Sequence, residues 1–194
     1  MDRYKHTLLL VLLLPIIAAG IGSYLAEREV LSYSLIQVSL SAAFICGISA
    51  LFGHYFKSRI THSVLLLSIL IVTIFTRLTI KSPVNLFTLL LVNVVFGYLN
   101  HFMIIKIFYH KDLMRIRTLL TGLGGGLIFG LYLLYLYRLV GVHLEGNFSA
   151  FFMFGLIIYV FIAFAMSMAD LIIIKSEVKQ LQNSNDPGEE ESDQ

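Results

Sequence analysis

Residues 148–174 read FSAFFMFGLIIYVFIAFAMSMADLIII, and the one charge in that run is Asp170. A bilayer's hydrocarbon core is about 30 Å thick and takes about 20 helical residues to cross. The stretch is long enough. In hydrocarbon only a helix or a closed barrel satisfies its own backbone hydrogen bonds. A barrel strand alternates apolar and polar residues. Phe151–Phe164 does not alternate, and neither do Leu8–Leu14 and Val64–Val72. The reading is therefore helical.

Working outward from this stretch, the same pattern recurs over almost the whole chain. Spans are predicted at roughly 7–26, 31–53, 62–80, 84–106, 117–138 and 148–174. Short polar breaks part them: Glu27-Arg28-Glu29, Lys57-Ser58-Arg59, Lys81-Ser82-Pro83, Lys111-Asp112 with Arg115 and Arg117, and Gly141 to Asn147. None is long enough for a folded extramembrane domain. The fold class is all-α, a polytopic membrane helix bundle of six transmembrane spans. Residues 1–182 form one membrane domain, and 183–194 a disordered acidic tail.

Composition agrees. Of 194 residues, 58% are hydrophobic and 13% charged, against about 25% charged in soluble domains. The lone cysteine, Cys46, excludes an intrachain disulfide. Tryptophan is absent, so tyrosine and phenylalanine must supply any aromatic belt.

Positive charge sets the expected orientation. With the N-terminus inside, ten cations fall inside (Arg3, Lys5, Lys57, Arg59, Lys106, Lys111, Arg115, Arg117, Lys175, Lys179) and four outside (Arg28, Arg77, Lys81, Arg138). Both termini are then cytoplasmic, and the expected location is a bacterial inner membrane. The first span has a second reading as a cleaved signal peptide, with Ala18-Ala19-Gly20 as small residues for a peptidase. The apolar run continues to Leu25, which favours a retained span.

Small residues mark where helices approach closely. Gly122, Gly126 and Gly130 are spaced by four and share one helix face. Such a face admits a neighbouring backbone. Gly124-Gly125-Gly126 also offers a loose gating point, since glycine costs roughly 1 kcal/mol relative to alanine in a helix.

Polar residues inside the spans are the functional candidates. Asn93, Gly97, Asn100 and His101 lie along one face of the fourth span, and Gln37 with Ser34 and Ser41 along the second. Asp170 is the only acid deep in an apolar run, with Lys106 or His101 as its expected partner. Gln37, Asn93, Asn100, His101 and Asp170 make a candidate polar seam. It serves either as interhelical hydrogen bonding or as a route for an ion or substrate. His54 and His101 would be the pair for a haem between spans, although no helix carries His-x-x-x-His.

Enzyme signatures are missing. There is no His-Glu-x-x-His and no Gly-x-Ser-x-Gly, and the glycine cluster at 122–126 lacks the P-loop lysine. The leading expectation is a non-enzymatic subunit or regulator with no cofactor and no metal. Its surroundings are the lipid bilayer and a membrane-protein partner or a homo-oligomer, with no nucleic acid. A small transporter or channel is the alternative, and a haem protein or other membrane enzyme the third reading.

Overall fold

The computed structural model describes residues 2–26, 33–57, 59–79, 84–140 and 148–184. The Glu27-Arg28-Glu29 and Gly141–Asn147 connections, the Ser34 side chain and the tail from residue 185 onward lie outside the described residues. Among the described residues there are helices and turns and no strand. The helices are α1 (Asp2–Ala26), α2 (Tyr33–Ala50), α3 (Thr61–Thr79), α4 (Leu86–Met103), α5 (Arg117–Val140) and α6 (Phe148–Ser184). All six are long and apolar enough to cross a membrane, over His6–Leu25, Leu35–Tyr55, Thr61–Leu78, Leu86–Phe108, Arg117–Leu139 and Phe148–Lys179.

Helix α2 is the hub. It touches α1, α3, α4 and α6, while α3, α4, α5, α6 and α1 follow one another around it. Its sequence allows this. Ala42, Ala43, Cys46 and Ala50 are all fully buried and small, so neighbours approach on several sides. The outer helices carry large apolar side chains on their far faces, such as Leu13 and Ile17 on α1 and Leu67, Ile71 and Phe75 on α3. An apolar exterior on a well-packed bundle is what a lipid solvent permits and water does not.

One contact between α1 and α2 follows from a proline. Pro15 lies inside α1 and has no N–H for the carbonyl four residues back, Val11. Gly47 of α2 packs against that same carbonyl, where an added Cβ would stand 2.9 Å from the oxygen. The freed carbonyl thus faces a glycine backbone, which accommodates it at short range.

The glycine face of α5 packs on α6. A Cβ at Gly126 would lie 3.0 Å from both Leu156 N and Phe152 O. Gly122 meets Val160, Gly130 meets Phe148 and Phe152, and Gly155 of α6 returns the contact against Phe129 and Gly126. Helix α5 runs unbroken through the three consecutive glycines. They are not equivalent. Gly124 has only ordinary contact, 3.5 Å from the Met103 sulfur, whereas Gly125 lies where a Cβ would overlap the Tyr159 ring.

Both α2 and α4 end in a π-helical turn, Leu51–Tyr55 and Ile104–Phe108. The closing bonds run five residues back, from Phe56 N to Leu51 O at 2.8 Å and from Tyr109 N to Ile104 O at 3.1 Å. These turns extend the two spans beyond the predicted ends at 53 and 106. They also rotate the residues at the end of each helix relative to a regular α-helix, which matters for the site.

Candidate functional site

Several of the buried and half-buried hydroxyls are satisfied within their own helices, while Ser49 and Thr121 have no partner among the described residues. Ser23, Ser39, Ser68, Thr73 and Ser167 each donate to the carbonyl four residues earlier, at 2.7–2.9 Å. A hydroxyl bonded in this way needs no route or ligand.

The amides form two separate layers. Asn93 donates through Nδ2 to Thr73 Oγ1 at 3.1 Å and accepts from the Tyr132 hydroxyl at 2.6 Å. This layer joins α3, α4 and α5. Seven residues further along α4, about 10 Å at 1.5 Å per residue, Asn100 accepts from the Tyr159 hydroxyl and, at 3.6 Å, from the Cys46 thiol. Its Nδ2 donates to Phe96 O at 2.8 Å. This second layer joins α2, α4 and α6. Gly125 makes it possible, because only a glycine leaves room for the Tyr159 ring. Between the layers Gly97 of α4 meets Ile69 and Ile45, with Phe96 beside it, and all three side chains are buried.

The third layer is the most developed, and four elements build it around Asp170 of α6. Arg117, the first residue of α5, places Nη1 3.2 Å from Asp170 Oδ2. Tyr55, at the end of the first π turn, donates to Oδ1. Tyr109, immediately after the second π turn, donates to the same oxygen at 3.2 Å. The Arg117 guanidinium lies 4.4 Å over the ring of Phe108, a cation–π contact. His54 stacks on Tyr109 with ring centroids 3.9 Å apart. The two ion-pair side chains are only 13% and 11% exposed. A buried carboxylate is tolerated when it is paired and hydrogen-bonded, and Asp170 has one charged and two neutral donors. Burial, with this carboxylate alongside, pushes the Tyr109 phenol well above its ordinary range, so Tyr109 stays a proton donor.

The expected partners of Asp170 are corrected by this geometry. Lys106 is exposed on its π turn and takes no part in the cluster. His101 instead sits against Gly53, 3.5 Å from where a Cβ would be, with its ring 6.3 Å from that of His62. Arg117 read in sequence as a loop cation. Its side chain reaches from the start of α5 to the carboxylate.

The candidate seam is thus not brought into one line. Asn93, Asn100 and Asp170 belong to three layers with different partners. His101 is half-buried with Nδ1 unpartnered among the described residues, and Gln37 is buried with its amide likewise unpartnered. His54 stacks on Tyr109, and His101 lies edge-on to His62. Among the described residues no group of three or more His, Cys, Asp or Glu could hold a metal ion.

A weak sequence signal for the missed part did exist. Tyr55-x-Lys57 and Tyr109-x-Lys111 end two spans in the same way. A tyrosine repeated at the same point of two spans suggests a shared partner at that level. No family model, curated protein or solved structure matches the chain.

Proposed function

We propose that this is an integral membrane protein, in a membrane such as the bacterial inner membrane, that acts as a non-enzymatic subunit or regulator through helix association. The observation that carries this reading is the far end of α6. The helix has 37 residues, about 55 Å at 1.5 Å per residue, against a hydrocarbon core of about 30 Å. Its apolar stretch, Phe148–Lys179, is 32 residues, longer than the about 20 that cross the core. Toward its far end Leu171, Ile174, Val178 and Leu181 are 60%, 53%, 49% and 62% exposed. Their spacing of three, four and three is that of a coiled-coil seam. No proline or glycine follows Gly155 in α6, so nothing bends this stretch down onto the membrane surface.

The occupant is a second copy of the chain. Two copies inserted alike carry their α6 helices parallel, and the seam is then self-complementary. Val178→Cys in a Cys46→Ala background should cross-link in native membranes to a dimer of twice the monomer mass. Cross-linking at Val178 no stronger than at Lys179→Cys, off the seam, would overturn the reading.

The transporter reading keeps one specific support, the Asp170 cluster. π turns are frequent at functional sites, and two of them deliver tyrosines to one carboxylate. If the cluster carries protons or cations, Asp170→Asn should abolish flux per folded molecule in proteoliposomes, beyond the loss of melting that follows from leaving Arg117 without its carboxylate. Equal flux in wild type and variant would remove this alternative.

A further inference from the structure

Helices α4 and α5 part over half their length and leave an open groove of about 400 Å³. Leu91, Val95 and Leu99 form one wall, and Leu131 and Tyr135 the other, with Arg138 at the end. Phe96 and Tyr132, stacked with centroids 4.1 Å apart, close the floor. The Tyr132 hydroxyl is already committed to Asn93, so the groove offers no polar group until its end.

Size selects among occupants. Along α5 the lining runs from Ile128 to Arg138, about 15 Å at 1.5 Å per residue. That is about half of a 30 Å hydrocarbon core, the depth of one leaflet. An extended acyl chain of one leaflet has about that length, and its chemistry matches a lining that is almost wholly apolar.

Charge selects the head group. Arg138 is exposed and makes no ion pair among the described residues. Tyr135, three residues before it, is 51% exposed on the same helix face. At this end of the bundle Arg77 also donates to Val84 O, at 2.9 Å. Asp2, at the start of α1, and Asp112, Asp170 and Glu177 all lie at the opposite end, so no described acid competes with an incoming anion here. A guanidinium held at an apolar groove's mouth suits a phosphate, through charge-assisted hydrogen bonds.

We propose that the α4–α5 groove binds one anionic phospholipid from the leaflet at the Arg138 end. An acyl chain lies along Val95 and Leu131, and the phosphate is held by Arg138 and the Tyr135 hydroxyl. The proposal is independent of the α6 seam, which lies at the opposite end of the bundle.

The test uses the full chain purified in mild detergent and titrated with phosphatidylglycerol or phosphatidylcholine, with adducts counted by native mass spectrometry. One phosphatidylglycerol should be retained at about tenfold lower concentration than phosphatidylcholine, because both offer Arg138 a phosphodiester but choline adds a fixed cation that the guanidinium repels. Arg138→Gln should bring the two lipids to parity. Val95→Trp, which fills the groove from an exposed position, should lose both adducts. Equal retention of the two lipids by the wild type, or an unchanged preference in Arg138→Gln, would overturn the assignment. If Val95→Trp retains its lipid but loses self-association, the groove is a protein interface and the assignment also fails. Should Val95→Trp not fold, the Arg138→Gln comparison decides alone.

Discussion

Replacing Arg117 with leucine is expected to destabilise the fold by about 3–5 kcal/mol, the usual result of stripping the partner from a buried ion pair. Asp170 would keep the hydroxyls of Tyr55 and Tyr109, but two neutral donors do not offset a carboxylate's desolvation. The guanidinium's contact with Phe108 would be lost as well. The double variant Arg117→Leu with Asp170→Leu should recover much of that loss, because a buried pair often roughly breaks even against apolar replacements. Melting of the purified variants in one detergent gives the cycle. If the single variant melts within about 0.5 kcal/mol of wild type, like an ordinary surface substitution, then the pair is an interfacial ornament. Asp170 would then have no structural hold on α2, α4 and α5. Two leucines that recover nothing would point the other way, to a cluster valued for its charges.

That experiment bears on how much of the molecule could be read from sequence. The six helices were legible because hydropathy over about 20 residues is a one-dimensional signal. Its ends match the helices closely, as at Arg117 and Phe148, where predicted and observed starts coincide. The length of α6 was partly legible, since Ile174, Val178 and Leu181 continue the helical spacing past the predicted end at 174. The connectivity of the polar residues was not. Spacing along one helix places Asn93 and Asn100 on a common face, but says nothing of which neighbour reaches each amide. The structure gives Asn93 to Thr73 and Tyr132, and Asn100 to Cys46 and Tyr159.

Asp170 illustrates the same limit at longer range. Its partners come from positions 55, 109 and 117, each at a helix end, where hydropathy reads a boundary and stops. The π turns have no hydropathy signature at all. One extra residue in a turn rotates the next side chains about the helix axis, and so decides whether Tyr55 and Tyr109 face the carboxylate or lipid. Sequence distance to Lys106 or His101 was a poor guide because long side chains at the ends of spans reach back along the bundle. Arg117 does so.

The three consecutive glycines separate packing from flexibility, and their substitution should give the largest contrast within one helix. Gly126→Leu is expected to cost about 3 kcal/mol or more, beyond the usual range of about 1–3 kcal/mol for overpacking. A Cβ there already stands 3.0 Å from backbone atoms of Leu156 and Phe152. Backbone cannot change rotamer, so α5 and α6 must separate, and this pair makes the most extensive contact in the bundle. Gly124→Ala, two residues away, should be neutral or stabilise by up to about 1 kcal/mol, since alanine is the better helix former. Its Cβ would make only ordinary contacts with side chains, Met103 at 3.5 Å and Ile107 at 4.0 Å. Gly125→Ala should fall on the destabilising side, since it evicts the Tyr159 ring and leaves the Asn100 amide without its hydroxyl donor. Thermal melting of the three variants, with yield as a control, checks the order. Should Gly124→Ala destabilise as much as Gly126→Leu, the glycines would be needed for helix flexibility, and the gating reading of this segment would be restored. An unperturbed Gly126→Leu would mean that α5 and α6 do not approach as described.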